Sequence, residues 1–255
     1  MIHATALVDA GAELGRDVEV GPYAVIGPKV TIGEGTRVAA HAVIDCNARI
    51  GAGVQIGVGT VVGGPPQDLK YKGEETWVEI GDHTVLREYS TINRGSTASG
   101  KTSVGARCFL MTYVHVAHDC HIGNDVIIAN GVQMAGHVTI GDRANISGLT
   151  PIHQFCSIGT LAFVGGGSRV NQDVPPYVKA VGNPMQLYRL NSVGLQRAGF
   201  SPEVKLALKR AYRLLFNSDF TISQGIARAR AELPALPEIE NFLKFVETSQ
   251  RGVLV

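Results

Sequence analysis

The sequence has almost no excess of charge and no long apolar run. It contains 23 Lys and Arg residues against 22 Asp and Glu residues, a formal net charge of +1. So small a charge does not indicate nucleic acid or an anionic membrane surface as a partner. The first residues lack a basic segment followed by an apolar stretch, and no run of about 18 apolar residues follows. We therefore expect a cytoplasmic protein with no nucleic-acid partner and no membrane insertion.

An aliphatic residue instead recurs at every sixth position over most of the first 170 residues. The series covers positions 2–62, 80–92 and 104–170 without a change of phase, and only Asp68, Glu74 and Ala98 interrupt it. A period of six matches neither an α-helix nor the alternation of a flat strand. It is typical of a hexapeptide β-helix, in which three hexads close a triangular coil of about 18 residues. Successive coils stack at the strand spacing of about 4.7–4.9 Å.

Glycine often follows the aliphatic residue of a hexad, as at Gly15, Gly27 and Gly123. We interpret these glycines as the permissive backbone of the corners between sides. A flexible low-complexity chain is the alternative, but disorder would not preserve a phase over so many residues. Coils of this kind resemble the left-handed β-helix class, and that resemblance implies the hand of the coil. We predict a mainly β protein, a left-handed parallel β-helix of hexapeptide repeats with a C-terminal α-helical domain.

Two segments leave the repeat and return in phase. The first, residues 63–78, contains the polar sequence from Gln67 to Tyr71, and the second, residues 95–103, is rich in Gly, Ser and Thr. Loops on a rigid repeat commonly carry function. We expect a functional role for the first loop and interpret the second as a tolerated surface insertion.

Beyond Pro175 and Pro176 the period of six is lost. Ser201 before Pro202 predicts a helix that extends to about Phe216, and residues 221–233 and 237–249 have helical spacing as well. We divide the chain into a β-helix over residues 1–186 and a helical domain over residues 187–255. The open end of a β-helix must be covered, so the helical domain is expected to cap it.

The four cysteines, Cys46, Cys108, Cys120 and Cys156, include no closely spaced CxxC pair. Cys120 and Cys156 share a column but lie two coils apart, about 9–10 Å, which is too far for a disulfide. We expect four reduced thiols.

Five of the eight histidines lie between residues 115 and 153. A coil of about 18 residues places His118, Gly136 and Gln154 in one column, with His137 and His153 in adjoining columns. His118 would then lie beside the backbone N–H of Gly136, which is the arrangement of a general base next to an oxyanion donor. A structural role is the alternative for any histidine, and we expect it for His3, His41, His83 and His121.

A zinc site is the main enzymatic alternative. Hexapeptide-repeat carbonic anhydrases resemble this coil and use histidines at a subunit interface. However, His115 and His118 are three residues apart on a flat side and point to different positions, and Asp68 and Gln154 are better explained by sugar binding. We therefore expect no metal.

Five motifs, in this order along the chain, are similar to those of one enzyme family. They are Gln67-Asp68-Leu69-Lys70-Tyr71, His115-Val116-Ala117-His118-Asp119-Cys120, Ala135-Gly136-His137, His153-Gln154-Phe155-Cys156 and Asp173-Val174-Pro175-Pro176-Tyr177. The chain resembles the acyl-[acyl-carrier-protein]:UDP-N-acetylglucosamine O-acyltransferases of lipid A biosynthesis over its whole length, helical tail included.

The resemblance implies transfer of an R-3-hydroxyacyl chain from acyl carrier protein to the glucosamine 3-OH of UDP-N-acetylglucosamine. His118 would be the general base, and the Gly136 N–H would stabilise the oxyanion. Asp119 would orient the imidazole, while a salt-bridged surface carboxylate is an equal interpretation of its position. The acceptor is either the 3-hydroxyl or a 3-amino analogue, because His118 suits both nucleophiles.

The resemblance also implies substrate-binding residues. Those near the sugar or its substituents are Asp68, His115, His137 and Gln154, and those near the nucleotide or the acyl-carrying arm are Gln67, Lys70 and His153. Asn191 and Arg197 match positions that hold the uridine diphosphate, where a guanidinium suits phosphate oxygens. Val193 and Ala198 depart from the family, which often has an acidic residue and a second arginine there. Gly166 matches the acyl-length ruler, with Phe163 nearby, and a glycine would leave room for a longer chain.

The resemblance further implies a homotrimer with active sites between subunits and no cofactor, since the 4'-phosphopantetheine thioester of acyl carrier protein is a substrate. Acyl carrier protein is acidic, and candidates for its docking surface, or alternatively for a solvated face, are Arg169, Lys179, Arg197, Lys205, Arg210 and Arg213. The rival interpretations are the related N-acyltransferase, which has an extra N-terminal domain, and a non-catalytic hexapeptide scaffold.

Overall fold

The computed structural model describes residues 1–254, and its strands, numbered along the chain, form the three sides of a triangular prism. The first sheet contains β1 (Leu7–Val8), β4 (Val25–Ile26), β7 (Val43–Ile44), β10 (Val61–Gly64), β13 (Thr91–Asn93), β16 (His115–Val116), β19 (Gln133–Met134) and β22 (Pro151–Ile152). The second contains β2 (Glu13–Leu14), β5 (Val30–Ile32), β8 (Ala48–Ile50), β11 (Trp77–Ile80), β14 (Lys101–Val104), β17 (His121–Ile122), β20 (Thr139–Ile140) and β23 (Ser157–Ile158). The third contains β3 (Glu19–Val20), β6 (Arg37–Val38), β9 (Gln55–Ile56), β12 (Val85–Leu86), β15 (Phe109–Leu110), β18 (Ile127–Ile128), β21 (Asn145–Ile146), β24 (Phe163–Val164), β25 (Val178–Gly182) and β26 (Met185–Leu190).

Neighbouring strands of each sheet belong to successive coils. Leu7 pairs in parallel with Val25, one coil of three hexads further along the chain. Because the register repeats by whole hexads, the sixth-position side chains stack inside the prism, where Ile44 and Ile128 are fully buried. Burying one such side chain stabilises the fold by roughly 1.5–3 kcal/mol. The prediction of a left-handed parallel β-helix is confirmed, although Ile2, in the open first coil, stays 52% exposed.

The glycines after the aliphatic residues do not serve the purpose that we predicted. Gly27 does not have a positive φ; a Cβ there would lie 1.4 Å from the carbonyl oxygen of Asp45 in the next coil. These glycines therefore allow the close approach of stacked backbones. The left-handed turn residues come two positions later and are mostly not glycine, as at Tyr23 (φ 59°) and Lys29 (φ 55°).

Both loops are shorter than predicted because the flanking strands extend into them. Gly64 still pairs with Asn93, and Trp77 pairs with Lys101. The first loop therefore covers residues 65–76 rather than 63–78, and the second covers residues 94–100 rather than 95–103.

The third sheet continues beyond the hexads as a hairpin. Strand β25 pairs in parallel with β24 and antiparallel with β26. The predicted division at residues 186 and 187 falls inside β26, so the sheet reaches Leu190 and the first helix follows directly. Helix α1 (Ser192–Arg197) was not predicted, since its six residues are too few for a helical pattern.

The three predicted helices are present as α2 (Pro202–Phe216), α3 (Ile222–Glu232) and α4 (Pro237–Thr248). The Ser201 side chain caps α2 as expected, and Thr221 forms a capping box at α3. Within residues 1–254 no helix combines the length and the apolar character needed to cross a membrane.

The helical part packs against the last coil through aromatic contacts. The ring centroid of Tyr177 lies 6.1 Å from that of Phe242, a fully buried residue of α4. Asn241 donates a hydrogen bond of 2.8 Å to the Tyr177 hydroxyl, and Ser249 donates one of 2.7 Å to the buried carboxylate of Asp173. These contacts agree with the predicted capping role.

All four cysteines are free, as expected, and Cys108, Cys120 and Cys156 are buried in the core. Burial raises the pKa of the Cys120 thiol to about 12.

Candidate active site

Most of the predicted site residues of the coil lie along one edge of the prism, where the chain passes from the first sheet to the second, and Gly166 and Phe163 lie elsewhere. Both loops emerge at this edge, since β10 and β13 belong to the first sheet and β11 and β14 to the second. We call this edge the histidine edge; it consists of the segments 65–76, 94–100, 117–120, 135–138 and 153–156.

His118 and Asp119 form the centre of the histidine edge. Asp119 has a φ of 59°, a left-handed turn conformation that aspartate tolerates better than most residues. His118 Nδ1 lies 2.7 Å from Asp119 Oδ2, and the imidazole is 13% exposed while the carboxylate is completely buried. The interpretation of Asp119 as a surface carboxylate is therefore wrong, and its carboxylate lies where it can orient the imidazole.

Two serines of the second loop hold the Asp119 carboxylate. Ser96 donates from its backbone N–H to Oδ1 at 2.9 Å and from its hydroxyl to Oδ2 at 2.7 Å. Ser99 donates to Oδ1 from its hydroxyl and, at 3.3 Å, from its backbone N–H. The second loop is therefore not only a tolerated insertion. We did not predict this role, because serines in a Gly/Ser/Thr-rich loop give no periodic signal.

Burial raises the pKa of Asp119, but the hydrogen bonds from Ser99, His118 and Ser96 lower it more. The net result is a pKa well below the usual range of an aspartate. The carboxylate therefore stays ionised at neutral pH and accepts a hydrogen bond from the Nδ1–H of His118. Because Nδ1 carries the proton, Nε2 is the basic nitrogen of the ring.

Gly136 lies directly against the His118 ring, one coil further along. A Cβ at residue 136 would lie 2.6 Å from His118 Cε1 and 2.8 Å from His118 Nε2, so only glycine leaves the ring in place. Within the described residues, the Gly136 N–H donates to no acceptor. It is therefore free to donate to a ligand.

His137 and Phe155 follow Asp119 in the same column, and all three residues have positive φ angles. The His137 ring stacks on Phe155 with centroids 4.5 Å apart and meets the His118 ring edge-on at 5.2 Å. His137 Nε2 lies 3.7 Å from Asp119 Oδ2. No role was predicted for Phe155, although the 18-residue register places it in this column.

The remaining predicted residues of this edge surround the centre. His115 Nδ1 lies 2.7 Å from Thr91 Oγ1; burial lowers the pKa of His115, and the nearby His118 lowers it further. His153 and Gln154 are exposed one coil beyond Gly136, and His153 Nδ1 lies 3.0 Å from the Gln154 carbonyl oxygen.

The first loop carries Gln67, Asp68 and Lys70 into solvent, and it is anchored by residues that we did not predict. Asp68 is half-buried and accepts a hydrogen bond of 2.9 Å from the Lys70 N–H, while Gln67 and Lys70 are exposed. The buried guanidinium of Arg94 donates to the Gly63 carbonyl oxygen and, at 3.2 Å, to the Tyr71 hydroxyl.

Asn191 and Arg197 lie at a different part of the molecule. The Asn191 side chain is buried; it caps α1 by accepting from the Gly194 N–H at 3.1 Å and donates to the Leu161 carbonyl oxygen at 2.9 Å. Leu161 lies between β23 and β24, at the edge between the second and third sheets. Arg197 is exposed in the last turn of α1.

Gly166 and Phe163 are also away from the histidine edge. Gly166 follows β24 and precedes Val170, which pairs with Ile152 of the first sheet, so it lies at the edge between the third and first sheets. A Cβ at residue 166 would meet nothing closer than 3.4 Å. The ring of half-buried Phe163 faces Lys179 Nζ at 4.8 Å.

Among residues 1–254, one group of side chains has the spacing of a metal site: His118, Asp119 and His137, whose ligand atoms lie within 4.8 Å of one another. However, both Asp119 oxygens already accept hydrogen bonds from the serines and from His118. A metal ion would have to replace several of these bonds. The donor set therefore suits an oriented base better than a metal.

Comparisons with known proteins identify the family of this fold. The family model of bacterial transferase hexapeptide repeats matches residues 11–46 and 101–136, and the model of UDP-N-acetylglucosamine O-acyltransferase domain 2 matches residues 173–254. The fold and the site define a hexapeptide-repeat acyltransferase.

Curated relatives are similar over almost the whole chain. Acyl-[acyl-carrier-protein]–UDP-N-acetylglucosamine O-acyltransferases of Alkalilimnicola ehrlichii and Anaeromyxobacter dehalogenans (strain 2CP-1) are 53% and 51% identical to it, with 99% of this chain and 98% of each relative covered. The solved UDP-N-acetylglucosamine acyltransferase of Bacteroides fragilis is 42% identical, with a TM-score of 0.98 and 100% of both chains covered. The chain belongs to the acyl-[acyl-carrier-protein]–UDP-N-acetylglucosamine O-acyltransferase family.

Proposed function

We propose that this acyltransferase moves an R-3-hydroxyacyl chain from acyl carrier protein to the glucosamine 3-OH of UDP-N-acetylglucosamine, the first step of lipid A biosynthesis. The names of the relatives supply the donor and the acceptor. The observation that carries the mechanism is the buried, hydrogen-bonded Asp119 behind His118. The Gly136 residue that packs against the His118 ring has an N–H with no acceptor among the described residues.

In this mechanism His118 Nε2 takes the proton of the acceptor hydroxyl as its oxygen attacks the thioester carbonyl carbon. The Gly136 N–H donates to the oxyanion of the tetrahedral intermediate. When the intermediate collapses, the carbon–sulfur bond breaks and the departing phosphopantetheine sulfur receives the proton from Nε2. Asp119 stabilises the imidazolium throughout, since it stays ionised.

The surrounding polar side chains are proposed to bind substrate. Along the histidine edge, the sugar and the acyl-carrying arm would contact Gln67, Asp68, Lys70, His115, His137, His153 and Gln154. Exposed Arg197 would bind the diphosphate, and Asn191 would fix the start of the helix that presents it. The acyl chain is proposed to extend past Gly166 and the nearby Phe163, since any side chain at residue 166 would lie between that chain and the Gly148 backbone.

A homotrimer with sites between subunits would explain the distribution of these residues. His118 lies at the edge between the first and second sheets. The hydrogen bond from Asn191 to Leu161, which joins α1 to the coil, lies at the edge between the second and third sheets. Gly166 lies at the edge between the third and first sheets. Within one prism these three edges are separate. Two prisms packed side by side in a trimer would bring different edges of neighbouring subunits together.

Acyl carrier protein is proposed to dock on the helical part. A groove of about 710 Å³ between β26, α1 and α2 is lined by five basic residues, Arg189, Lys205, Lys209, Arg210 and Arg213. Such a surface attracts an acidic partner. Lys205, Arg210 and Arg213 are among the predicted docking residues, whereas Lys179 faces Phe163.

The test is acyl transfer from 3-hydroxyacyl carrier proteins of several chain lengths to UDP-N-acetylglucosamine and to its 3-amino analogue, measured with and without a metal chelator. We expect transfer by the wild type and a kcat about 100- to 10,000-fold lower for His118→Ala. His121→Ala is the matched control, because His121 is half-buried in the following strand and bonds only Ser103.

Each result decides one part of the proposal. Transfer to neither acceptor would overturn the assigned reaction. Full activity of His118→Ala would overturn the base, and activity abolished by the chelator would favour a metal at His118, Asp119 and His137.

A further inference from the structure

The second loop supplies no group to the proposed chemistry, yet its two serines contact the residue behind the base. We propose that Ser96 and Ser99 are positioning residues for acyl transfer, which hold the Asp119 carboxylate in the one orientation that fixes His118. This inference rests on the proposed role of His118 as the base.

Both oxygens of the Asp119 carboxylate accept hydrogen bonds, and these bonds prevent the carboxylate from rotating. Oδ2 accepts from the Ser96 hydroxyl and from His118 Nδ1, both at 2.7 Å. Oδ1 accepts from the Ser96 N–H at 2.9 Å and from the Ser99 hydroxyl and N–H. Rotation of the carboxylate would break bonds on both oxygens at once, so the acceptor for His118 stays in place.

The backbone of Asp119 is held as well. Its N–H donates to the hydroxyl of Thr102 at 2.9 Å, and Thr102 is fully buried in β14. The second loop therefore hydrogen-bonds the side chain of Asp119, and the strand that follows the loop hydrogen-bonds its main chain.

The loop that carries the serines is itself fixed to the coil. The Trp77 N–H donates to the Gly100 carbonyl oxygen at 2.9 Å, and the Gly95 N–H donates to the Trp77 carbonyl oxygen at 3.0 Å. The Gly100 N–H closes the turn on the Ser96 carbonyl oxygen at 2.8 Å. A Cβ at residue 95 would lie 2.3 Å from the Lys101 nitrogen, so this close approach requires glycine.

Loss of the serine donors has a predictable chemical effect. The titratable groups that face the Asp119 carboxylate are His118 and, at 3.7 Å, His137. Without the serine hydrogen bonds, less of the cost of burying the charged carboxylate is offset, so the pKa of Asp119 rises. A carboxyl group that rotates or takes up a proton no longer fixes the imidazole, so kcat falls.

The experiment compares Ser96→Ala, Ser99→Ala and the double variant with the full-length wild type. We expect kcat to fall about 10-fold for each single variant and about 100-fold for the double variant, with KM for UDP-N-acetylglucosamine unchanged. Ser96→Thr, which keeps the hydroxyl, should restore most of kcat.

Ser103→Ala is the matched control, because Ser103 bonds His121 and does not contact Asp119. Wild-type kcat in the double variant would overturn the proposal. So would a loss of activity that accompanies a lower Tm and is not restored by Ser96→Thr, since that result indicates a merely structural loop. Failure of the base itself is distinguished by His118→Ala, which would then stay active.

Discussion

At the scale of the residue, the site is built by stacking three left-handed turn positions. Asp119, His137 and Phe155 occupy equivalent places in successive coils, with φ between 59° and 64°. Each turn directs its side chain to the same edge, so a carboxylate, an imidazole and an aromatic ring form one column. The repeat therefore fixes the spacing, and the choice of residue at each turn supplies the chemistry.

Asp119 links this chemistry to stability. The pKa of Asp119 is lowered in the folded protein, so its contribution to stability is fully present above the unfolded value of about 3.9 and is lost as pH falls below it. We expect the free energy of unfolding of the wild type to decrease steeply below about pH 5. Asp119→Asn should be less stable at pH 7 and lose less stability on acidification.

The measurement is urea denaturation from pH 3 to pH 8. Asp17→Asn is the matched control, because Asp17 occupies the same kind of turn with a φ of 56° but is exposed. It should keep the wild-type slope. Equal slopes for Asp119→Asn and the wild type would contradict the assignment.

The sequence predicted the neighbours of His118 along the coil but not those from the loop. A spacing of 18 residues is enough to place Gly136 against the ring, because the register is the same everywhere in the prism. The contacts of Ser96 and Ser99 depend on the path of a nonrepeating loop, which no periodicity describes. The surface interpretation of Asp119 failed for the same reason.

At the scale of the element, the two loops are held by different means. The second loop is attached through the backbone of Trp77, whereas the first is held by two buried side chains, Arg94 and Asn93. Asn93 donates to the Pro65 carbonyl oxygen. Arg94 Nη1 contacts the Gly63 carbonyl oxygen, and Arg94 Nη2 donates to the Tyr71 hydroxyl within the loop. The position of Asp68 thus depends on a guanidinium that is only 9% exposed.

Arg94→Met should release the first loop. It leaves the buried Gly63 carbonyl oxygen without its side-chain donor, so we expect a loss of about 2–4 kcal/mol in the free energy of unfolding. Hydrogen exchange should accelerate in residues 65–76, and KM for the sugar nucleotide should rise more than kcat falls.

Arg49→Met provides the comparison. Arg49 forms an exposed ion pair with Glu79 and lies over Trp77, which together contribute about 1 kcal/mol or less. If both variants lose equal stability and the first loop keeps its exchange rates, Arg94 is not its anchor.

Elements with their own sequence signals were predicted correctly, and those without such signals were not. Helices α2 and α3 begin at capping residues and have helical spacing. Helix α1 has six residues, and β25 and β26 pair antiparallel after the repeat has ended. Their formation depends on the edge of the third sheet and on Asn191, which joins α1 to the coil.

At the scale of the whole molecule, the three edges of the prism carry different parts of the proposed site. His118 lies at one edge and the helix of Arg197 is joined to another through Leu161. In a trimer with C₃ symmetry, each site would combine residues from two subunits in the same cyclic order. Two variants that are inactive for different reasons can then complement each other.

Co-expression of His118→Ala and Arg197→Ala subunits, carrying different tags, tests this arrangement. A site works only where an intact His118 meets an intact Arg197 of the neighbour. With equal, random assembly this occurs at about one site in four of the whole population and at about one site in three of the mixed trimers, so purified mixed trimers should recover roughly a third of the wild-type activity. Mixing His118→Ala with Asp119→Ala should recover none, because neither subunit then has an intact dyad. Absence of recovery in the first mixture would place His118 and Arg197 in the same subunit's site, and α1 would have to reach the histidine edge of its own prism.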